Sequence, residues 1–185
     1  EWPAKVDGAA GGKGLTVLLA AGQLGGSGAG VPAAQKKAVA DLLAAFNRDE
    51  KRSKPLGFYT WSKALEAIFR QDRMLQTPLE GQTEVQGIAE ALKADPALSA
   101  AYQKQLQLAY RLTNPPIGGT TSDLSPLLTD MPAIKPADVR EWRILPPSLS
   151  HESQLFLRLF PNPQPVPDDF DLMKALIAEI KAGKI

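Results

Sequence analysis

Residues 83–110, TEVQGIAEALKADPALSAAYQKQLQLAY, hold two helix patterns in succession and decide the fold class. The first opens with a capping box, in which the side chains of Thr83 and Gln86 can each accept a hydrogen bond from a backbone amide at the start of the helix. Its apolar residues recur at helical spacing, at Val85, Ile88, Ala89 and Leu92. This spacing predicts an amphipathic helix with one buried face.

The second pattern begins with Asp95 and Pro96, an N-cap residue followed by a proline at the first helical position. One side of this helix is apolar, at Leu98, Tyr102, Leu106, Ala109 and Tyr110. Two prolines after Asn114 predict its end, because proline cannot continue a helix. Together the two patterns predict a mostly α, irregular multi-helix domain.

Two more helices are predicted upstream. One begins near Pro32, and its apolar stripe is Val39, Leu42, Leu43 and Phe46. The other follows Thr60, which we interpret as its N-cap. Its predicted inner face is Trp61, Ala64, Leu65, Ile68 and Phe69.

The last predicted helix lies near the C-terminus. Asp168 and Asp169 are at its positive end, while Lys181 is near its negative end with Gly183 beyond, as the helix dipole favours. Its predicted buried stripe is Met173, Leu176, Ile177 and Ile180. This apolar face needs a partner surface, either elsewhere in the chain or on a following piece of polypeptide.

We interpret residues 1–185 as a single domain with four composition zones. Residues 1–31 are a glycine-rich entry with nine of the 15 glycines, and residues 32–113 are the helical core. Residues 114–167 hold 11 of the 16 prolines and are interpreted as an extended wrap, with the C-terminal helix at 168–183.

Several segments are less regular. The apolar runs 15–21 and 154–160 fit either a helix or a strand, because so short a run does not separate the two periods. Residues 22–30 are predicted to form a loop, because fixing so many glycines in a regular element is entropically costly. Residues 136–142 are predicted to form a short helix.

Composition and charge argue against several functions. The net charge of +1 gives no basic surface for nucleic acid, and the mixed-sign run 48–54 is interpreted as a solvated connector. The chain has no cysteine, which excludes disulfides and thiolate chemistry. No apolar run reaches the roughly 20 residues of a membrane-spanning helix. We therefore expect a soluble domain.

The two ends of the sequence suggest how the chain is processed. The sequence begins with Glu1 rather than methionine and ends at Ile185, directly after a strong helix pattern. We expect a processed or exported chain, outside the cytoplasm, that is one segment of a larger bacterial-type protein.

Two glycine segments are candidate phosphate-binding loops, because helix-end amides bind anions. Residues 26–30 do not have the G-x-G-x-x-G spacing, and residues 8–14 are one residue short of a Walker loop and lack its Ser or Thr. The single histidine, His151, precedes Glu152, but Leu155 stands where a zincin helix needs a second histidine. We therefore expect no metal and no cofactor. His151 and Glu152 remain candidate catalytic residues, with an ordinary helix start as the alternative.

The densest aromatic segment gives the best candidate binding site. Phe58, Tyr59 and Trp61 lie within four positions, and aromatic faces stack on sugars and on apolar side chains. Arg73 is the nearby basic candidate. The alternative interpretation is that Phe58 and Trp61 fix the helix end to the core.

Glu66 and Asp72 are the candidate carboxylates for catalysis. A glycosidase needs two acids across a cleft, but residues six apart on a helix point to different sides. Asp72 extends the apolar stripe of its helix, so we expect either an ion pair with Arg70, Arg73 or Arg111, or a raised pKa.

Two functional hypotheses follow. The first is a helical domain that acts in packing or protein interaction. The alternative is a hydrolase or a carbohydrate- or peptide-binding domain that uses residues 58–61 with the nearby carboxylates.

Overall fold

The computed structural model describes residues 12–27, 30–79, 81–113, 121–129, 135, 138–148 and 171–183. The helices within these ranges are α1 (Lys13–Leu24), α2 (Lys36–Arg48), α3 (Glu50–Ser53), α4 (Lys63–Leu75), α5 (Gln82–Ala94), α6 (Pro96–Leu112) and α7 (Leu172–Lys181). Two short strands, β1 (Thr121–Ser122) and β2 (Glu141–Trp142), pair in parallel. The prediction of a mostly helical fold is confirmed.

Helix α1 is the centre of the core. All its residues from Gly14 to Ala21 are buried, and it packs against α2, α4 and α5. Residues 15–21, for which the sequence allowed either a helix or a strand, therefore form a helix that is buried on all sides. The predicted loop at 22–30 is wrong for its first three residues, because α1 continues to Leu24.

Glycines let the neighbouring helices approach α1 closely. A Cβ atom on Gly14 would lie 2.6 Å from Cδ1 of Ile88 in α5, and one on Gly25 would lie 2.5 Å from Nε2 of Gln71 in α4. Both distances are shorter than van der Waals contact, so a side chain at Gly14 would displace the buried Ile88, whereas one at Gly25 would displace only the flexible end of Gln71.

The start of α1 is capped from a distant part of the chain. The N-cap residue, Gly12, makes no side-chain cap, and the carboxylate of Glu84 in α5 accepts a hydrogen bond from the amide of Gly14. Glu84 is buried, and its charge lies at the positive end of the helix dipole. This amide is therefore satisfied by the protein's own carboxylate.

Helix α2 follows a 3₁₀ turn at Ala33–Gln35, close to the predicted start at Pro32. Val39 and Phe46 are buried, while Leu42 and Leu43 are partly buried against the core. The predicted stripe is confirmed. The guanidinium of Arg52 in α3 lies 5.8 Å from the ring centroid of Phe46, within cation–π distance.

Helix α4 differs from its prediction in two ways. Its N-cap is Ser62, whose hydroxyl accepts a hydrogen bond from the amide of Leu65, whereas Thr60 ends a 3₁₀ turn at Gly57–Thr60. The predicted inner face is also wrong, because Trp61 and Ile68 are exposed. The helix instead presents its buried Met74 to the core, since its packing against α1 sets which side faces inward.

Helices α5 and α6 follow the predicted stripes. Every residue of the α5 stripe is buried, and α6 buries Tyr102 and Leu106. The Asp95 cap is confirmed by a 3.1 Å hydrogen bond from the amide of Leu98. The capping box is wrong, because the N-cap of α5 is Gly81, at φ 88°, and Thr83 lies inside the first turn.

Buried hydrogen bonds attach α6 to the irregular segments that follow it. The hydroxyl of Tyr102 donates to the carbonyl oxygen of Ile144 at 2.7 Å and accepts from the amide of Leu124 at 3.1 Å. The hydroxyl of Tyr110 donates to the carboxylate of Asp123. These bonds fix residues 121–129 and 141–145 beside α6.

The segment around β2 also contacts the end of α4. The amide of Leu145 donates to the carbonyl oxygen of Leu75 at 3.2 Å, and the amide of Leu79 donates to the carbonyl oxygen of Trp142 at 2.9 Å. The predicted helix at 136–142 is therefore wrong at its end, where residues 141–142 are extended and pair with β1.

Helix α7 starts after Asp171, whose side chain accepts a hydrogen bond from the amide of Lys174 at 3.0 Å. The predicted caps Asp168 and Asp169 lie outside the described residues, as does the segment 154–160. The predicted buried stripe is wrong in this structure, because Met173, Ile177 and Ile180 are exposed. Within the described ranges, no helix or strand covers this apolar face.

Candidate functional site

A groove of about 620 Å³ runs between α4 and the C-terminal half of α6. The 3₁₀ turn at Gly57–Thr60 contributes to one wall, and residues 145–148 contribute to its lining. The lining residues are Phe58, Tyr59, Leu65, Ile68, Phe69, Asp72, Arg73, Gln76, Leu108, Ala109, Tyr110, Leu112, Thr113, Leu145, Pro146 and Ser148. Most of these side chains are apolar or aromatic, so the groove suits a ligand with a hydrophobic face.

The aromatic segment reaches the groove because of its tight turn. Gly57 has φ 59°, a left-handed conformation that favours glycine, and the hydroxyl of Thr60 donates to the carbonyl oxygen of Gly57 at 2.8 Å. The rings of Phe58 and Tyr59 stack with centroids 4.2 Å apart, and Tyr59 lies 5.1 Å from Phe69. Two of the three predicted binding aromatics therefore line the groove.

Trp61 lies beside the groove rather than in its lining. Its side chain is 80% exposed, and its ring meets that of Phe58 edge-on with centroids 6.3 Å apart. The alternative interpretation, in which Phe58 and Trp61 fix the helix end to the core, is wrong, because both side chains are exposed.

Asp72 places a carboxylate in this largely apolar lining. Burial raises its pKa from 3.8 to about 6, since desolvation disfavours the charged form. Of the two expectations for Asp72, the raised pKa is confirmed. Burial, and secondarily the charge of Asp72, also raises the pKa of Tyr59.

Of the three predicted arginine partners, Arg70 and Arg73 make other contacts. Arg70 donates to the side-chain oxygen of Asn47. Nε of Arg73 donates to the carbonyl oxygen of Arg52 at 3.4 Å, and its Nη1 donates to Oε1 of Gln76 at 2.9 Å. Burial, followed by repulsion from Arg52, lowers the pKa of Arg73. Arg73 therefore lines the groove as a cation fixed by hydrogen bonds.

The structure does not bring the two candidate carboxylates of α4 together. Glu66 pairs with Lys63, with 2.8 Å between Oε2 and Nζ, and it is not part of the groove lining. His151 and Glu152 lie outside the described residues. Within the described ranges, no three Asp, Glu or His side chains are grouped as a metal would require.

The second wall of the groove was not predicted from the sequence. Leu108 and Leu112 are exposed, four residues apart on α6, and lie off the stripe that packs into the core. This i, i+4 apolar pair outside the main stripe was the available signal. No sequence signal pointed to Leu145 and Pro146, because only the tertiary fold brings them to α4.

Comparisons with protein-family models, curated proteins and solved structures found no match to this chain. None of the helices in the described ranges is both long and apolar enough to span a membrane.

Proposed function

We propose that this chain is a helical interaction domain whose groove binds an amphipathic helix of a protein partner. The supporting observation is where its exposed large hydrophobic side chains lie. In the described ranges there are nine: Leu56, Phe58, Trp61, Ile68, Leu108, Leu112, Met173, Ile177 and Ile180. Six of them line the groove or flank its aromatic turn, and the other three share α7. Apolar exposure concentrated in this way is typical of interaction surfaces.

The shape of the groove also favours a helical ligand. Two helices form its long walls, and an amphipathic helix binds such a groove through apolar side chains at positions i, i+3, i+4 and i+7. Burying the exposed half of a Leu- or Phe-sized side chain contributes about 1–2 kcal/mol. Phe58, Ile68, Leu108 and Leu112 together contribute about 4–8 kcal/mol, and the apolar side chains that the ligand buries against them contribute a similar amount, which together exceed an association cost that starts at about 4 kcal/mol. We therefore expect micromolar affinity.

Asp72 adds a charge preference. An ionised carboxylate in an apolar groove is poorly solvated, and a cation from the ligand would relieve this cost. The preferred ligand is therefore a helix with a lysine or arginine beside its apolar stripe.

A synthetic helical peptide tests the proposal. It carries leucines at i, i+4 and i+7 with a lysine beside them, and its affinity is measured by fluorescence anisotropy. We expect micromolar binding that is weakened at least tenfold by Leu112→Lys and unchanged by Ala40→Lys, a matched control on the exposed side of α2. A peptide that does not bind, or that binds Leu112→Lys equally well, contradicts the proposal.

A second candidate is favoured by the position of Phe58, Tyr59 and Asp72 in one groove. Aromatic rings beside a carboxylate also suit a carbohydrate, and an acid with a raised pKa suits general acid catalysis. The test is titration with soluble glycans, read out by the fluorescence of Trp61 next to Phe58. Saturable glycan binding, or glycan cleavage lost in Asp72→Asn, would favour this candidate over helix binding.

A further inference from the structure

We propose that the partner is a second copy of this chain, with α7 of each copy occupying the groove of the other. This inference rests on the proposed function, because it uses the same groove. The occupant of each groove is α7, Leu172–Lys181, of the other copy.

The exposed face of α7 has the pattern that such a groove accepts. Met173, Ile177 and Ile180 are at positions i, i+4 and i+7, and Met173 is 61% exposed. At 100° per residue these three side chains fall within about 60° of one another around the helix axis. The helix is ten residues long and is capped by Asp171, so it presents a defined apolar stripe.

The charges of the two surfaces are complementary at Asp72, while Arg73, the other charged residue of the lining, is held by its own hydrogen bonds. Lys174 and Lys181 are both exposed, and both lie on the same edge of the apolar stripe, about two turns apart. Asp72 is the carboxylate among the described residues that line the groove. With Ile177 seated between the walls, an edge lysine can reach that carboxylate.

A second copy accounts for both exposed surfaces at once. A foreign helix would cover the groove but would leave the stripe of α7 exposed. The chain's own α7 lies outside the groove, and none of its residues is part of the lining. Reciprocal exchange around a two-fold axis covers two grooves and two helices, and it closes without forming filaments.

The first experiment measures the mass of the full chain by light scattering over a concentration series from 1 to roughly 500 µM, a range that brackets micromolar dissociation constants. We expect a monomer–dimer equilibrium for the wild-type chain. Leu112→Lys blocks the groove and Ile177→Glu blocks the helix, so each variant alone is expected to be monomeric. Both residues are exposed, and far-UV circular dichroism checks that the variants remain folded.

Mixing the two variants gives the decisive result. The intact α7 of the Leu112→Lys chain can still bind the intact groove of the Ile177→Glu chain. We therefore expect the mixture, and neither variant alone, to form a one-to-one heterodimer. Ala40→Lys is the control and is expected to dimerise as the wild type does. Asp72→Asn is expected to weaken the dimer severalfold.

Three outcomes overturn the inference. A wild-type chain that stays monomeric excludes the dimer; if it still binds the synthetic peptide in a Leu112-dependent way, the proposed function stands and only the second copy is wrong. A dimer that is insensitive to Ile177→Glu has a different interface. A monomer in which Ile177→Glu raises the affinity for the peptide indicates that α7 occupies its own groove.

Discussion

Replacing Asp72 with asparagine should stabilise the protein above pH 6 and have little effect near pH 4. The pKa of Asp72 is 3.8 in its ordinary state and about 6 in the fold. Well below pH 3.8 the carboxyl is protonated in both the folded and unfolded chains, so it contributes no difference. Between pH 4 and 6 the unfolded chain loses this proton first, and the free energy of unfolding falls as pH rises.

The magnitude follows from the same two values. A pKa raised by about two corresponds to about 3 kcal/mol, because each pKa unit is about 1.4 kcal/mol. Asp72 is only partly buried, and solvent screening reduces this figure to about 1–2 kcal/mol. Asparagine carries no charge, so Asp72→Asn should be more stable than the wild type by this amount at pH 7.5.

Urea unfolding at pH 4, 5, 6 and 7.5, followed by the fluorescence of the buried Trp142, measures the difference. Asp41→Asn is the matched control, since Asp41 is exposed on α2 and surface ion pairs contribute little. The reasoning is refuted if Asp72→Asn is the less stable protein at pH 7.5, or if its advantage is the same at every pH. A confirmed gain would mean that the groove keeps its carboxylate at a cost in stability, as binding sites often do.

Three further changes test the core by urea unfolding. Gly14→Ala should lower the free energy of unfolding by about 1–2 kcal/mol, because the new Cβ would overlap Cδ1 of Ile88. In an Ile88→Val background, which lacks that atom, the loss of stability should be smaller. An equal loss in both backgrounds contradicts the overlap. Glu84→Ala should lower the free energy of unfolding by about 2 kcal/mol, because it leaves the buried amide of Gly14 without an acceptor. Glu84→Gln should be closer to the wild type in stability, and an equal loss of stability in the two variants would argue against the cap. Tyr102→Phe should cost about 1–3 kcal/mol through its two buried hydrogen bonds, and a neutral result would mean that water replaces them.

The helices that sequence patterns predicted best are those whose apolar stripe meets the core directly. The α5 stripe at Val85, Ile88, Ala89 and Leu92 is an example, as is the Asp95 cap of α6. In both cases local spacing and tertiary packing favour the same face. The capping box failed because Gly81, with its left-handed backbone, began α5 before Thr83.

The candidate site was only partly predictable for the same physical reason. An apolar stripe shows that a helix face avoids water, but it does not show whether that face meets the core or a groove. Leu65, Ile68 and Phe69 therefore pointed to a core and instead line the groove. Asp72 could be identified from the sequence, because a carboxylate that extends such a stripe must either form an ion pair with an arginine or have a raised pKa. The wall formed by Leu145 and Pro146 depends on a long-range hydrogen bond, from the amide of Leu145 to the carbonyl oxygen of Leu75 in α4, that no local pattern encodes.

The cap that Glu84 provides to α1 has a consequence for the order of folding. The carboxylate and the amide that it satisfies are 70 residues apart in the chain. During synthesis, the apolar segment that becomes α1 emerges long before its cap and before the helices that bury it. Loop closure of this length must precede the contact, so the central helix is completed late and the core forms through long-range encounters. Until α2, α4 and α5 have all been synthesised, the apolar segment 15–21 lacks part of the surface that buries it and is exposed to premature association.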